Sequence, residues 1–216
     1  PAGVLNLVFG FAGEVGDHLV EDPRVALVTF SGSTDVGTSL AERCPKSYKR
    51  VSLEMGGKNA IIVLEDADID LAVEGIIWSA FGTTGQRCTA ASRVIVQKGV
   101  LRELTERLVR RTEGLKLGDG LLPTTDVGPV INSEQLTKIH EYTKIGIEEG
   151  AKLLCGGEIA RKGELRKGFF YKPTVFGDVK PNMRIAQEEI FGPTTAIIPV
   201  NSPEEAVEVN NGTQFG

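Results

Sequence analysis

The stretch VALVTFSGSTDVGTSLAERC, residues 25–44, joins a short apolar run, a glycine-containing turn and a helical pattern. The run VALVTF lies between Pro23 and Ser31 and is rich in β-forming residues, which predicts a buried strand. The residues that follow have apolar side chains at helical spacing, and Ser33 or Thr34 can cap the helix N-terminus. A strand that leads through a tight turn into a helix is a basic unit of α/β proteins.

The same alternation continues along the chain and predicts an α/β fold with largely parallel sheets. Further strands are predicted at residues 50–53, 60–64, 92–97, 152–155, 169–175 and 194–200. Helices are predicted at residues 13–22, 34–44, 68–81, 101–113 and 134–150, and from Pro203 onward.

The composition excludes several classes of function. The 216 residues are 41% hydrophobic and 25% charged, with a net charge of −5 and no basic run, so nucleic acid is not an expected partner. No apolar run approaches the roughly 20 residues of a membrane helix, so no membrane partner is expected. The three widely spaced cysteines form no CxxC pair, which argues against a disulfide framework or a metal site and favours a cytoplasmic protein.

The turn SGSTDVG, residues 31–37, is a candidate phosphate site, because glycine permits close backbone approach and a helix N-terminus offers free N–H groups. Gly32 and Ser33 would face a pyrophosphate. The turn has neither the GxGxxG pattern nor a Walker sequence, so an ordinary capped strand–helix turn is an equal alternative.

A candidate nucleophile lies in FGTTGQRCTA, residues 81–90, where Cys88 follows a glycine-rich turn and the cation Arg87. A nearby cation favours the reactive thiolate, although a lone cysteine is often an inert core residue. His18 and His140 lie in helical patterns outside glycine-rich turns, so a Cys–His hydrolase is poorly supported.

A candidate base lies in LEMGGKN, residues 53–59, where Glu54 follows an apolar strand and precedes a glycine pair. A carboxylate in a partly apolar cleft can accept a proton near neutral pH and activate water. The equal alternative is a strand-end carboxylate paired with Lys58 or Arg50.

The segment QEEIFGP, residues 187–193, places two acids before an aromatic residue and a helix-ending Gly192-Pro193 pair. Glu189 and Phe191 are therefore predicted on a loop. A carboxylate can accept both hydroxyls of a ribose and an aromatic side chain can pack on a planar ring, although a charged helix end with a core phenylalanine is the alternative.

Taken together and in order, these motifs resemble the aldehyde dehydrogenase superfamily over the whole chain. The segments that carry the resemblance are FSGSTDVG (30–37), LEMGGKN (53–59), FGTTGQRCTA (81–90) and EEIFGP (188–193). The resemblance implies that residues 1–54 are the C-terminal part of a Rossmann-type coenzyme-binding domain. Residues 55–216 would then be most of an α/β catalytic domain, incomplete at its C-terminus.

The resemblance also implies a mechanism. Cys88 would attack the carbonyl of a small-molecule aldehyde, hydride would pass to NAD+ (or alternatively NADP+), and Glu54 would activate the water that hydrolyses the resulting thioester.

The same resemblance implies the cofactor contacts. Gly32, Ser33 and Gly37 would lie at the pyrophosphate-binding turn. Glu189 would hold the nicotinamide ribose, and Phe191 would position the ring.

Members of the family are longer than this chain and are commonly homo-oligomers. We therefore expect a piece of a longer homo-oligomeric protein, and little activity from the 216 residues alone, because the family's oxyanion-hole asparagine and adenosine contacts precede the region matched here. The alternatives are a CoA-acylating aldehyde dehydrogenase, which Glu54 disfavours, and a non-catalytic relative. The motifs do not identify the aldehyde, and a semialdehyde of amino-acid catabolism is one candidate.

Overall fold

The computed structural model describes residues 1–215 and divides into two compact units, residues 1–56 and the residues from Gly57 onward. The assignment of residues 1–54 and 55–216 to coenzyme-binding and catalytic domains stays a prediction.

The first unit contains a two-stranded parallel sheet of β1 (Leu27–Ser31) and β2 (Arg50–Glu54). The elements around it are a π-helical turn (Ala12–Gly16), α1 (Asp17–Glu21), α2 (Thr34–Arg43) and a 3₁₀ turn (Cys44–Ser47). Its core is small: Val20, Leu40 and Cys44 are buried against apolar side chains of the two strands. The order strand, turn and helix predicted over 25–44 is confirmed, and Ser33 is the N-cap of the helix. The prediction that the strand is buried is wrong, because the residues of β1 alternate between exposed and partly exposed positions.

The second unit is a five-stranded sheet covered by helices, in the strand order β3-β4-β7-β6-β5. Its strands are β3 (Ala60–Val63), β4 (Arg93–Gln97), β5 (Lys152–Cys155), β6 (Thr174–Gly177) and β7 (Thr194–Val200). Its helices are α3 (Ile69–Phe81), α4 (Lys98–Glu113), α5 (Ser133–Glu148), α6 (Arg184–Gln187) and α7 (Pro203–Asn211). All strand pairs except β5–β6 are parallel, which confirms the predicted α/β architecture.

The three central strands of this sheet, β4, β7 and β6, are buried on both faces, because side chains alternate between the two faces and helices cover them. Val94 and Val96 of β4 pack into a core with α3 and α4, whereas Ile95 packs with α7. On β7, Ile197 joins the first of these cores and Ile198 joins a separate one with α5. Strands buried on both faces are typical of parallel sheets between helical layers.

The strand predicted at residues 169–175 is wrong at its start, because β6 begins only at Thr174. Pro173 has no N–H group and interrupts the ladder. The residues before it bond instead to two other segments: Val130 N–H donates to Phe169 O (2.8 Å) and Lys172 N–H donates to Glu158 O (3.1 Å).

Among residues 1–215, no helix combines the length and the apolar character needed to cross a membrane.

Candidate functional site

In the first unit, the predicted phosphate turn and Glu54 lie at the same edge of the sheet. Ser31 and Glu54 are register partners at the carboxyl ends of β1 and β2, and Gly32 N–H donates to Glu54 O (3.0 Å). Ser33 Oγ accepts a hydrogen bond from Val36 N–H (3.4 Å), which fixes the start of α2. The carboxyl edge of parallel strands is where α/β proteins place their ligands.

The three residues predicted to contact the pyrophosphate differ in exposure. Gly32 and Ser33 are exposed, whereas Gly37 is buried. A Cβ at Gly37 would overlap the Met55 side chain, and a Cβ at Gly32 would overlap the Phe30 ring. Both glycines therefore allow close packing, and only Gly32 and Ser33 offer an accessible surface.

In the second unit, Cys88 follows a strained turn. Thr83 and Thr84 have φ values of 53° and 59°, and Gly85 has a φ of 66°. Left-handed conformations are costly for threonine, which is β-branched. Three side-chain hydrogen bonds hold the turn against the segment 128–131. Thr84 Oγ1 donates to Gly128 O (3.2 Å), Gln86 Nε2 donates to Pro129 O (3.5 Å), and Gln86 Oε1 accepts from Ile131 N–H (2.9 Å). The exposed thiol of Cys88 is thus presented by an anchored backbone.

Gly85→Ala is expected to lower the free energy of unfolding by at least about 2 kcal/mol, because a left-handed alanine is strained and its Cβ would overlap the Gly192 carbonyl. The matched control is Gly75→Ala on the exposed face of α3, where a Cβ meets nothing and should gain about 0.5–1 kcal/mol. Denaturant unfolding of both variants checks this, and equal stabilities would contradict it.

Arg87 turns toward α3. Its guanidinium lies 4.4 Å from the centre of the Trp78 ring and donates to Trp78 O and Ser79 O, both at 3.3 Å. This stacking holds the residue next to Cys88 by a cation–π contact and two hydrogen bonds. The predicted effect of its charge on the thiol stays a prediction.

The loop after α6 carries the other predicted site residues. Glu189 Oε1 accepts a hydrogen bond from Gly57 N–H (3.2 Å). Phe191 is partly exposed and has a φ of 58°. Gln135, in the first turn of α5, holds this strained backbone by donating to Ile190 O and Phe191 O, both at 2.8 Å. The prediction that Glu189 and Phe191 lie on a loop is confirmed.

The segment 57–59 connects the cysteine loop with the carboxylate loop. Lys58 Nζ donates to Glu188 O (2.7 Å), and Asn59 Nδ2 donates to Cys88 O (2.5 Å). Arg93 Nε donates to Lys58 O (2.9 Å). Residues 57–59 therefore bind the Cys88 carbonyl and the loop at Glu188 and Glu189, and the sequence patterns did not reveal these contacts. Among the described residues, no three His, Cys, Asp or Glu side chains are placed to hold a metal ion.

Lys58 is buried, with 3% of its surface exposed. Desolvation, helped by the charges of Arg93 and Lys138 and opposed by those of Glu188 and Glu189, lowers the pKa of Lys58 from 10.5 to about 7. Its amine keeps N–H donors in either protonation state, so the bond to Glu188 O does not depend on the charge.

We expect the unfolding free energy to rise with pH between about 7 and 10.5 through Lys58, because the unfolded chain keeps a proton there that the folded chain has released. The slope of this contribution is up to about 1.4 kcal/mol per pH unit. Lys58→Met removes it, so unfolding titrations of both proteins over this range should diverge with pH. Parallel profiles would contradict the expectation.

The comparisons with known proteins identify the family. A sequence model described as "Aldehyde dehydrogenase family" matches residues 1–216. The chain therefore belongs to the aldehyde dehydrogenase family.

Two of its curated relatives are the 1-pyrroline-5-carboxylate dehydrogenase of Geobacillus thermodenitrificans and the alpha-ketoglutaric semialdehyde dehydrogenase of Bacillus subtilis. They are 47% and 44% identical to it over 100% of this chain and 42% and 44% of their own length. A double mutant of Staphylococcus aureus betaine aldehyde dehydrogenase, solved in complex with NAD+, has a TM-score of 0.97 and 35% identity. That match covers 100% of this chain and 43% of the other, so the chain spans less than half the length of these relatives.

Proposed function

We propose that the whole protein carrying this chain oxidises an aldehyde to a carboxylic acid with NAD+. The observation that carries the proposal is the arrangement around residues 57–59, where the Cys88 carbonyl and the Glu189 carboxylate are bound by neighbouring residues of one segment. A nucleophile and a ribose-binding carboxylate must lie together if hydride is to move from the bound substrate to a cofactor.

Each unit, taken by itself, presents groups suited to one part of a dinucleotide. At the start of α2, Gly32 and Ser33 are exposed, and the helix N-terminus beyond them offers N–H groups to a pyrophosphate. Glu189 accepts only one described hydrogen bond, so its carboxylate retains capacity for ribose hydroxyls. Phe191 has 36% of its surface exposed, and a planar ring could pack against that surface. Bound NAD+ would supply the hydride acceptor.

The proposed reaction proceeds in three steps that use residues of this chain. Cys88 Sγ forms a bond to the carbonyl carbon and gives a thiohemiacetal, whose oxygen is stabilised by backbone N–H groups. Loss of hydride from that carbon leaves a thioester on Cys88. Glu54 takes a proton from water, which attacks the thioester carbon, and the carbon–sulfur bond breaks to release the carboxylic acid and the thiolate.

The activities for which the relatives are named narrow the proposed substrate class. They include dehydrogenases of 1-pyrroline-5-carboxylate, alpha-ketoglutaric semialdehyde and betaine aldehyde. Two of these three names describe compounds that carry a carboxylate as well, so we propose a carboxylate-bearing semialdehyde as the substrate. Homo-oligomer formation by the whole protein is part of the same proposal.

The test is NADH formation by the purified whole protein with a panel of semialdehydes, betaine aldehyde and simple aliphatic aldehydes, each with NAD+ and with NADP+. We expect NAD+-dependent production of the free acid, with the carboxylate-bearing semialdehydes giving the highest kcat/KM. Turnover that requires CoA and yields an acyl-CoA would favour the CoA-acylating alternative. An absence of turnover with every aldehyde would favour the non-catalytic one. The 216-residue chain alone should show little activity in this assay.

A further inference from the structure

Two adjacent acids, Glu188 and Glu189, have different surroundings in the second unit. Arg184 pairs with both carboxylate oxygens of Glu188 at 2.8 and 2.9 Å, and Tyr142 Oη donates to Glu188 Oε2 (2.6 Å). Glu189 forms no ion pair among the described residues and accepts its bond from a backbone N–H group. The Glu188 side chain therefore fixes the loop through Arg184 and Tyr142, whereas the Glu189 carboxylate is held only by the Gly57 N–H group among the described contacts.

Lys58, which lies just before β3, contacts the loop that carries Glu188 and Glu189. Its Nζ donates to the backbone carbonyl of Glu188, between the two acids, while the preceding N–H group of Gly57 binds the Glu189 carboxylate. Lys58 is in turn fixed by Arg93, which is 2% exposed and donates to Lys58 O. Both the backbone carbonyl and the side-chain amine of Lys58 are therefore held by hydrogen bonds.

Keeping an amine buried at this position is costly, because desolvation opposes its charge and a methionine would fill similar space without that cost. A residue whose task was only to fill the core would not need the donor. The Lys58 donor instead binds the carbonyl of Glu188, which belongs to the peptide bond that joins Glu188 to Glu189.

We propose that Lys58 is a positioning residue for Glu189: by holding the Glu188 carbonyl, it orients the Glu189 carboxylate for the cofactor ribose. This inference rests on the proposed function, since it requires that Glu189 contact NAD+. Lys58 acts through Glu189 and has no contact of its own with substrate or cofactor in the proposal.

The test is a double-mutant cycle on NAD+ binding by the whole protein, measured by isothermal titration calorimetry and by KM. Lys58→Met should raise Kd for NAD+ about 10-fold or more, as expected for losing a hydrogen bond that sets a charged group, while kcat at saturating NAD+ changes less. Glu189→Gln should also weaken binding. If Lys58 acts through Glu189, adding Lys58→Met to Glu189→Gln should change Kd less than about twofold.

Two further variants test whether the effect on NAD+ binding is specific to Lys58. Tyr142→Phe removes the hydroxyl that donates to the Glu188 carboxylate, and it should raise Kd for NAD+ by a smaller factor than Lys58→Met does. Lys98→Met, at an exposed lysine that donates to Asn201 Oδ1, is the matched control and should bind NAD+ normally. Additive effects in the cycle, or a normal Kd for Lys58→Met, overturn the inference while the proposed function stands. An unsubstituted protein that neither binds NAD+ nor oxidises aldehydes overturns both.

Discussion

Cys88→Ser is expected to lower NADH formation by the whole protein by on the order of 10⁴-fold, because a hydroxyl at this position is a far weaker nucleophile than a thiolate. The substitution changes one atom at an exposed site, and the described backbone bonds around it remain: Asn59 still binds the carbonyl and Gln86 still holds the turn. The loss should therefore appear in kcat, with NAD+ binding and the unfolding midpoint close to those of the unsubstituted protein.

Of the other two cysteines, Cys155 provides the control. Cys44 is fully buried in the core of the first unit, and burial raises the pKa of the half-buried Cys155 thiol to about 11. Cys155→Ser should keep nearly full activity. The proposed role of Cys88 fails if Cys88→Ser keeps more than about a tenth of the activity, or if Cys155→Ser shows the larger loss.

The sequence predicted most of the fold because local signals agreed with the tertiary structure. β5 and β7 were predicted with their observed bounds, and Ser33 and Asp68 cap the helices that they were expected to start. One exception is the segment before β6, where an apolar pattern continues through Pro173 although the hydrogen-bond ladder cannot. β-Propensity describes a side-chain environment, and it did not register the missing N–H group.

The sequence located the motifs of the site but not the contacts that join them. Lys58 and Glu188 are 130 positions apart, and Asn59 and Cys88 are 29 apart. Arg93 reaches 116 positions along the chain to bind Val209 O at the end of α7. Such pairs follow from the strand order of the sheet, which no local pattern specifies. The sequence therefore indicates Lys58 only as a partner for the nearby Glu54.

Glu54→Gln is expected to separate the two halves of the reaction. Cys88 and the cofactor contacts are unchanged in this variant, so formation of the thioester and of the first NADH should remain fast. Hydrolysis should slow by about 10²–10⁴-fold, because the group that takes the proton from water is lost. The expected time course is a burst of one NADH per active site, followed by a slow steady state.

A burst would assign Glu54 to the hydrolysis step, and two further measurements can check that assignment. Intact-protein mass spectrometry should find the acyl group on Cys88 of the Glu54→Gln variant, and hydroxylamine, a nucleophile that needs no base, should release it. Glu42→Gln, at an exposed position on α2, is the matched control and should turn over normally. A Glu54→Gln variant that loses the burst together with turnover would show that this carboxylate is needed before the thioester forms. Full steady-state activity would show that Glu54 is not the base but a carboxylate that ends β2.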